Sequence, residues 1–131
     1  MTQLHHYLSR LQNTLTSRQE LQIILLEVFD RSNQVKQSSE FYAQVRFFDG
    51  SQLHIVEKLV AERHILLKAR YAYHYQQADG TLIFRYDDVP HHREVATFPH
   101  HKHIDDQVIA AQPPDLHEVL QEIDMILYLN R

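Results

Sequence analysis

The sequence predicts an α+β fold, in which an antiparallel β-meander sheet of about five or six strands has N- and C-terminal helices packed on one face. Two Asp-Gly pairs, at residues 49–50 and 79–80, each separate two strand-like runs. Asp-Gly is typical of a tight hairpin, because glycine adopts a positive φ angle at little cost. Apolar residues at helical spacing near both ends of the chain predict the two helices.

The first half of the chain predicts a helix followed by strands. Leucines recur at helical spacing in residues 3–16, which predicts an amphipathic helix: Leu4, Leu8, Leu11 and Leu15. The apolar segment 21–30 is interpreted as a strand, with a buried helical turn as the alternative. Alternating side chains then predict four strands around the Asp-Gly turns: residues 41–47, 53–57, 65–76 and 82–86.

The last segment predicts a capped helix. Pro113 and Pro114 end the strand region, and Asp115 followed by Glu118 fits a capping box. Apolar residues beyond it share one helical face: Leu116, Val119, Leu120, Ile123 and Leu127.

Composition restricts the class of protein. The 131 residues suit one α+β domain over residues 1–131, and a hydrophobic content of 44% is ordinary for a globular chain. No apolar run approaches the ~20 residues that span a bilayer, and no secretory segment is recognised. The absence of cysteine excludes disulfides and thiolate metal sites. We therefore expect a cytoplasmic protein that does not contact membranes. A net charge of −4 argues against broad nonspecific DNA binding.

Residues 84–103 form the segment with the richest chemistry. The histidines His91, His92, His100, His101 and His103 lie there with Arg85, Asp87 and Lys102. Histidine exchanges protons near neutral pH, and its neutral ring binds metals. Pro90 and Pro99 restrict the backbone, so this segment is predicted to be an ordered loop crossing one end of the sheet. If it is extended, His101 and His103 point one way and His100 and Lys102 the other, with Arg85 and Asp87 beside the loop.

Three chemistries fit these residues. The first is metal-free phosphodiester cleavage, with His101 or His103 as general base or acid and Arg85 and Lys102 as phosphate contacts. The second is metal binding by imidazoles and a carboxylate, although the spacing matches no standard zinc signature, so no metal ligand or cofactor is assigned. The third is nucleotide binding or transfer without a phosphate loop. The histidines could alternatively stabilise the loop in a non-catalytic, partner-binding protein.

The motif Phe84-Arg85-Tyr86-Asp87-Asp88-Val89-Pro90-His91-His92, together with residues 97–103, resembles the TumE-type toxins of prokaryotic toxin–antitoxin systems. The resemblance covers roughly residues 40–125 and departs at Asp88, where asparagine is expected. It implies a toxin whose partner is an antitoxin protein of helix-turn-helix DNA-binding type. Its shared motif contains Arg85, Tyr86, Asp87, His91, His92, His100, His101, Lys102 and His103.

The combined interpretation is a toxin directed at RNA or nucleotides, with the histidine segment as active site. The candidate catalytic residues are Arg85, Asp87, His91, His92, His100, His101, Lys102 and His103. A homodimer is also expected, because the edge strands of a meander need covering.

Overall fold

A computed structural model describes residues 2–129 of the chain. Helix α1 spans Gln3–Thr16, and its N-terminus is capped by the Thr2 side chain. Seven strands follow in this part of the chain: β1 Leu21–Asp30, β2 Gln37–Phe47, β3 Gln52–Glu62, β4 Ile65–Gln76, β5 Leu82–Asp87, β6 His101–Ile104 and β7 Gln107–Ala110. Helix α2 spans Leu116–Asp124 and continues as a π-helical segment, Met125–Leu129.

The strands form one antiparallel meander in the order β1 to β7. This confirms the predicted α+β meander between terminal helices. Segment 21–30 is a strand, which settles the alternative of a helical turn. The predicted capping box is present, since the Asp115 side chain accepts from the Glu118 N–H and the Glu118 side chain accepts from the Asp115 N–H. Gly50 and Gly80 have φ angles of 86° and 90°, as the two hairpin turns require.

The hydrophobic core lies between the two helices and one face of the sheet, which we call the helix face. Alternate residues of the central strands supply the sheet side of this core, including Val45, Ile55, Tyr73 and Phe84. The leucine stripe of α1 and the apolar face of α2 are buried against them. The opposite, outer face of the sheet carries the intervening residues of each strand.

The histidine segment differs from its prediction as a loop. Residues 88–100 are irregular, but His101–Ile104 forms β6 and pairs with β5, and Gln107–Ala110 adds β7. With these two strands, the sheet has seven strands in the described part of the chain, where five or six were predicted. Both prolines of the segment precede β6. Every residue of the strand therefore keeps a backbone N–H that can donate a hydrogen bond. None of the described helices is long and apolar enough to cross a membrane.

Candidate functional site

The pairing of β5 with β6 aligns two residues of each strand on the outer face. Arg85 lies opposite His103, and Asp87 lies opposite His101. Alternation along β6 turns Lys102 towards the helix face. The predicted arrangement, with His101 and His103 together and Arg85 and Asp87 beside them, is therefore confirmed.

Asp87 is the centre of this group. Its side chain is 5% exposed, and its Oδ2 accepts from Arg85 Nε at 2.9 Å. Its Oδ1 lies 2.9 Å from His101 Nε2 and accepts from the Val89 N–H at 3.0 Å. His103 Nε2 lies 3.6 Å from Oδ2. A buried carboxylate with this many donors is held in one orientation.

His101 is fixed from both sides. Its Nδ1 lies 2.9 Å from the Pro99 carbonyl oxygen, which can only accept, so Nδ1 carries a proton. Its Nε2 faces the Asp87 carboxylate. The residue is 1% exposed, and the His92 ring of the segment 88–100 packs against it. His101 is thus placed to position its neighbours, and direct contact with a substrate would require that segment to move.

Three imidazoles meet at this point, which we call the histidine cluster: His92, His101 and His103. Their ring centroids are 4.8 Å (His92–His101), 4.9 Å (His101–His103) and 5.5 Å (His92–His103) apart. One ligand atom from each lies within 4.8 Å of the other two. The side chains of His92 and His103 are each 30% exposed, so these two can meet a ligand from solvent.

The protonation of His103 is affected by opposing influences. Burial is the largest and lowers the pKa of His103, while the Asp87 carboxylate raises it. The cationic forms of His101, His92 and Arg85 lower it further. The net effect is a lowered pKa, which favours the neutral imidazole that can accept a proton.

Other predicted site residues lie apart from the cluster. Lys102 Nζ contacts Glu122 Oε2 of α2 at 2.6 Å on the helix face. Burial alone would lower the pKa of Lys102, but hydrogen bonds to Glu122 and Tyr86 outweigh it and raise the pKa. His100 also faces this side, where its Nδ1 lies 2.9 Å from the Tyr71 hydroxyl.

His91 lies in the irregular segment 88–100. It is exposed, and its backbone N–H donates to the Val89 carbonyl oxygen at 2.8 Å. Its predicted catalytic role stays a prediction.

Sequence reasoning missed a buried polar network on the helix face. Glu57 is 0% exposed and accepts hydrogen bonds from the Tyr7 hydroxyl and, at 2.6 Å, from the Tyr73 hydroxyl. Lys68 Nζ donates to the same Tyr73 oxygen at 2.6 Å. Burial, followed by the charge of Glu57, raises the pKa of both tyrosines. The sequence signal for this network was Glu57, which shares the apolar face of its strand with Leu53 and Ile55.

Comparison with known proteins identifies a family. The family model described as Toxin TumE matches residues 14–127, which is most of the chain. No curated protein and no solved structure gives a significant match.

Proposed function

Because the chain belongs to the TumE toxin family, we propose that it is the toxin of a toxin–antitoxin pair and that it cleaves RNA at the histidine cluster. The observation that carries this proposal is His103, a half-exposed imidazole held between Asp87 and Arg85 on paired strands. Its lowered pKa suits a general base at neutral pH.

Each group has a role in this reaction. His103 accepts the proton of the RNA 2′-hydroxyl, the 2′ oxygen bonds to phosphorus, and the bond from phosphorus to the 5′ oxygen breaks. His92 donates the proton that the leaving oxygen needs. The Arg85 guanidinium, 36% exposed, contacts the phosphate oxygens as charge develops on them. Asp87 and His101 hold His103 and Arg85 in place.

Growth after tightly controlled induction in a bacterial host tests the role of His103. We expect wild type to arrest growth, His103→Ala to permit it while remaining folded, and the control His117→Ala, exposed on α2 and outside the motif, to arrest it. Purified wild type should cleave labelled RNA in the presence of a metal chelator, and His103→Ala should not. Arrest by folded His103→Ala would indicate a non-catalytic protein in which the histidines stabilise the fold.

A second candidate function is divalent-metal binding at the same cluster. The Pro99 carbonyl fixes the Nδ1 proton of His101, which leaves Nε2 to face the other imidazoles and Asp87, an arrangement typical of metal-bound histidine. Elemental analysis of untagged protein, purified without chelator, tests this idea. About one zinc or other transition-metal ion per chain, lost in His103→Ala, would support it. Retained RNA cleavage without metal would favour the first candidate.

The toxin family suggests an antitoxin as partner. We propose a cytoplasmic complex with an antitoxin of helix-turn-helix type, and a homodimer in its absence. Strand β1 is an edge of the sheet and carries partly exposed apolar side chains, including Leu25 and Phe29. Copurification with the neighbouring gene's product and light scattering of the protein alone test these two assemblies. Failure to copurify would count against the complex with the antitoxin, and the mass of a monomer in light scattering would count against the homodimer.

A further inference from the structure

A row of polar side chains crosses the outer face of the sheet and ends at the histidine cluster. We call it the polar row; its members are Gln44, His54, His74, Arg85 and His103. Each lies opposite the next on the neighbouring strand, from β2 to β6. All are half-buried, and both helices pack on the other face. Each side chain of the row is therefore partly exposed to solvent on the face opposite the helices.

The planar groups of the row are held in fixed orientations. Arg85 Nη1 lies 3.3 Å from His74 Nδ1, and His74 Nε2 lies 3.0 Å from the Gln76 side-chain oxygen. The His54 and His74 ring centroids are 5.8 Å apart. Imidazole and guanidinium planes are groups on which unpaired RNA bases stack, and fixed amides can bond base edges. The row thus offers stacking and hydrogen-bonding groups on several successive strands.

Cations and carboxylates are mixed on the outer face around the row. Register places exposed Lys58 between Glu40 of β2 and exposed Arg70 of β4 on the outer face, and Arg70 donates to the Asp88 carbonyl oxygen at 2.9 Å. Arg46 is also exposed and lies opposite Gln52, beside the β2 end of the row. Glu27 lies on the edge strand β1, and Glu40 of β2 is 3.4 Å from Arg31. Arg46 therefore offers a cation at the β2 end of the row, and Arg85 offers one beside the histidine cluster.

The length of the row sets the size of its ligand. Five strands spaced about 4.8 Å apart span roughly 19 Å. Four-stranded sheets bind two or three bases in this way. We propose that the polar row is a binding track for about three nucleotides of single-stranded RNA, leading away from the bond that is cleaved at His103. This inference rests on the proposed function and names its substrate class, since a duplex would keep its base faces stacked and unavailable.

Binding can be measured separately from cleavage. RNA with 2′-O-methyl groups lacks the attacking hydroxyl, so wild-type protein can be titrated with labelled oligomers that it cannot cleave. Fluorescence anisotropy at low salt should show that a single-stranded tetranucleotide binds at least ~10-fold more tightly than a dinucleotide, because each stacked base adds affinity. Equal affinity for the two lengths, or tighter binding of a duplex, would overturn the track.

Substitution within the row gives the second arm. His54 lies two strands away from Arg85. The substitution His54→Ala should weaken tetranucleotide binding about fivefold to a hundredfold, which is the range for the loss of one stacked base. The matched control His117→Ala, exposed on α2, should bind within about twofold of wild type. Circular dichroism checks that both variants are folded. Indistinguishable binding by the two variants would overturn the track.

The two proposals fail in different ways. Length-dependent binding that His54→Ala removes, together with intact unmodified RNA, would support the track and overturn cleavage at His103. Cleavage of unmodified RNA without any length dependence would overturn the track alone. Tighter binding of the antitoxin in place of RNA, lost in His54→Ala, would show that this face is a protein interface.

Discussion

Replacing His101 with alanine should cost much of the protein's stability. Its ring is 1% exposed and joins Asp87 Oδ1 to the Pro99 carbonyl, each at 2.9 Å. Truncation leaves a buried carboxylate without one of its partners, and breaking a buried pair costs about 3–5 kcal/mol. Because Arg85 and the Val89 N–H still contact this carboxylate, we expect the lower end of that range, about 3 kcal/mol.

Urea unfolding followed by circular dichroism measures this loss. With a slope of about 1–3 kcal/mol per molar urea, the midpoint of His101→Ala should fall by about 1–3 M. The exposed control His91→Ala should stay within about 0.5 kcal/mol of wild type. In a double-mutant cycle, Asp87→Asn should cost much less in the His101→Ala background than in wild type. A loss below about 1 kcal/mol for His101→Ala would refute the positioning role.

Three further predictions follow from contacts elsewhere in the fold. Tyr73→Phe removes the hydroxyl that donates to buried Glu57 at 2.6 Å and should lower the free energy of unfolding by about 1.5–3 kcal/mol in urea titration; an unchanged midpoint would contradict this. Lys102→Met loses the Glu122 contact and should cost about 1 kcal/mol in the same titration. It should still arrest growth, and loss of arrest in the folded variant would show instead that Lys102 contacts the target. Burial lowers the pKa of His74 from its ordinary 6.5. Between pH ~7.5 and ~5.5 the unfolded chain therefore binds more protons than the folded protein, so the free energy of unfolding should fall as the pH drops. The fall should be smaller in His74→Gln. Equal dependence of the melting temperature on pH in the two proteins would count against this prediction.

Local patterns explain how much of the fold was predictable. The leucine spacing of α1, the Asp115 cap of α2 and the two Asp-Gly turns each act within a few residues, and all were read from the sequence. Strand β6 was missed because proline and histidine dominate its surroundings. Its four residues become a strand only because β5 offers a paired edge, which no local pattern contains.

The site was predicted in part for the same reason. Alternation along an extended chain separates His101 and His103 from Lys102, and the structure agrees. The burial of Asp87 and His101 was not predictable, because it depends on how residues 88–100 pack. The Lys102 contact with Glu122 was not predictable, because it joins residues far apart in sequence; the role of Lys102 as a phosphate contact stays a prediction.

The sequence by itself determined the order of elements, the faces of the helices and strands, and the concentration of proton-transfer groups in residues 84–103. Tertiary structure decided which of those groups meet. Strand register brings Arg85, Asp87 and His103 together and extends them across the sheet through His74 to His54. Helix and hairpin signals are local, whereas register and burial arise only when distant segments pack, because both depend on partners that the local sequence does not contain.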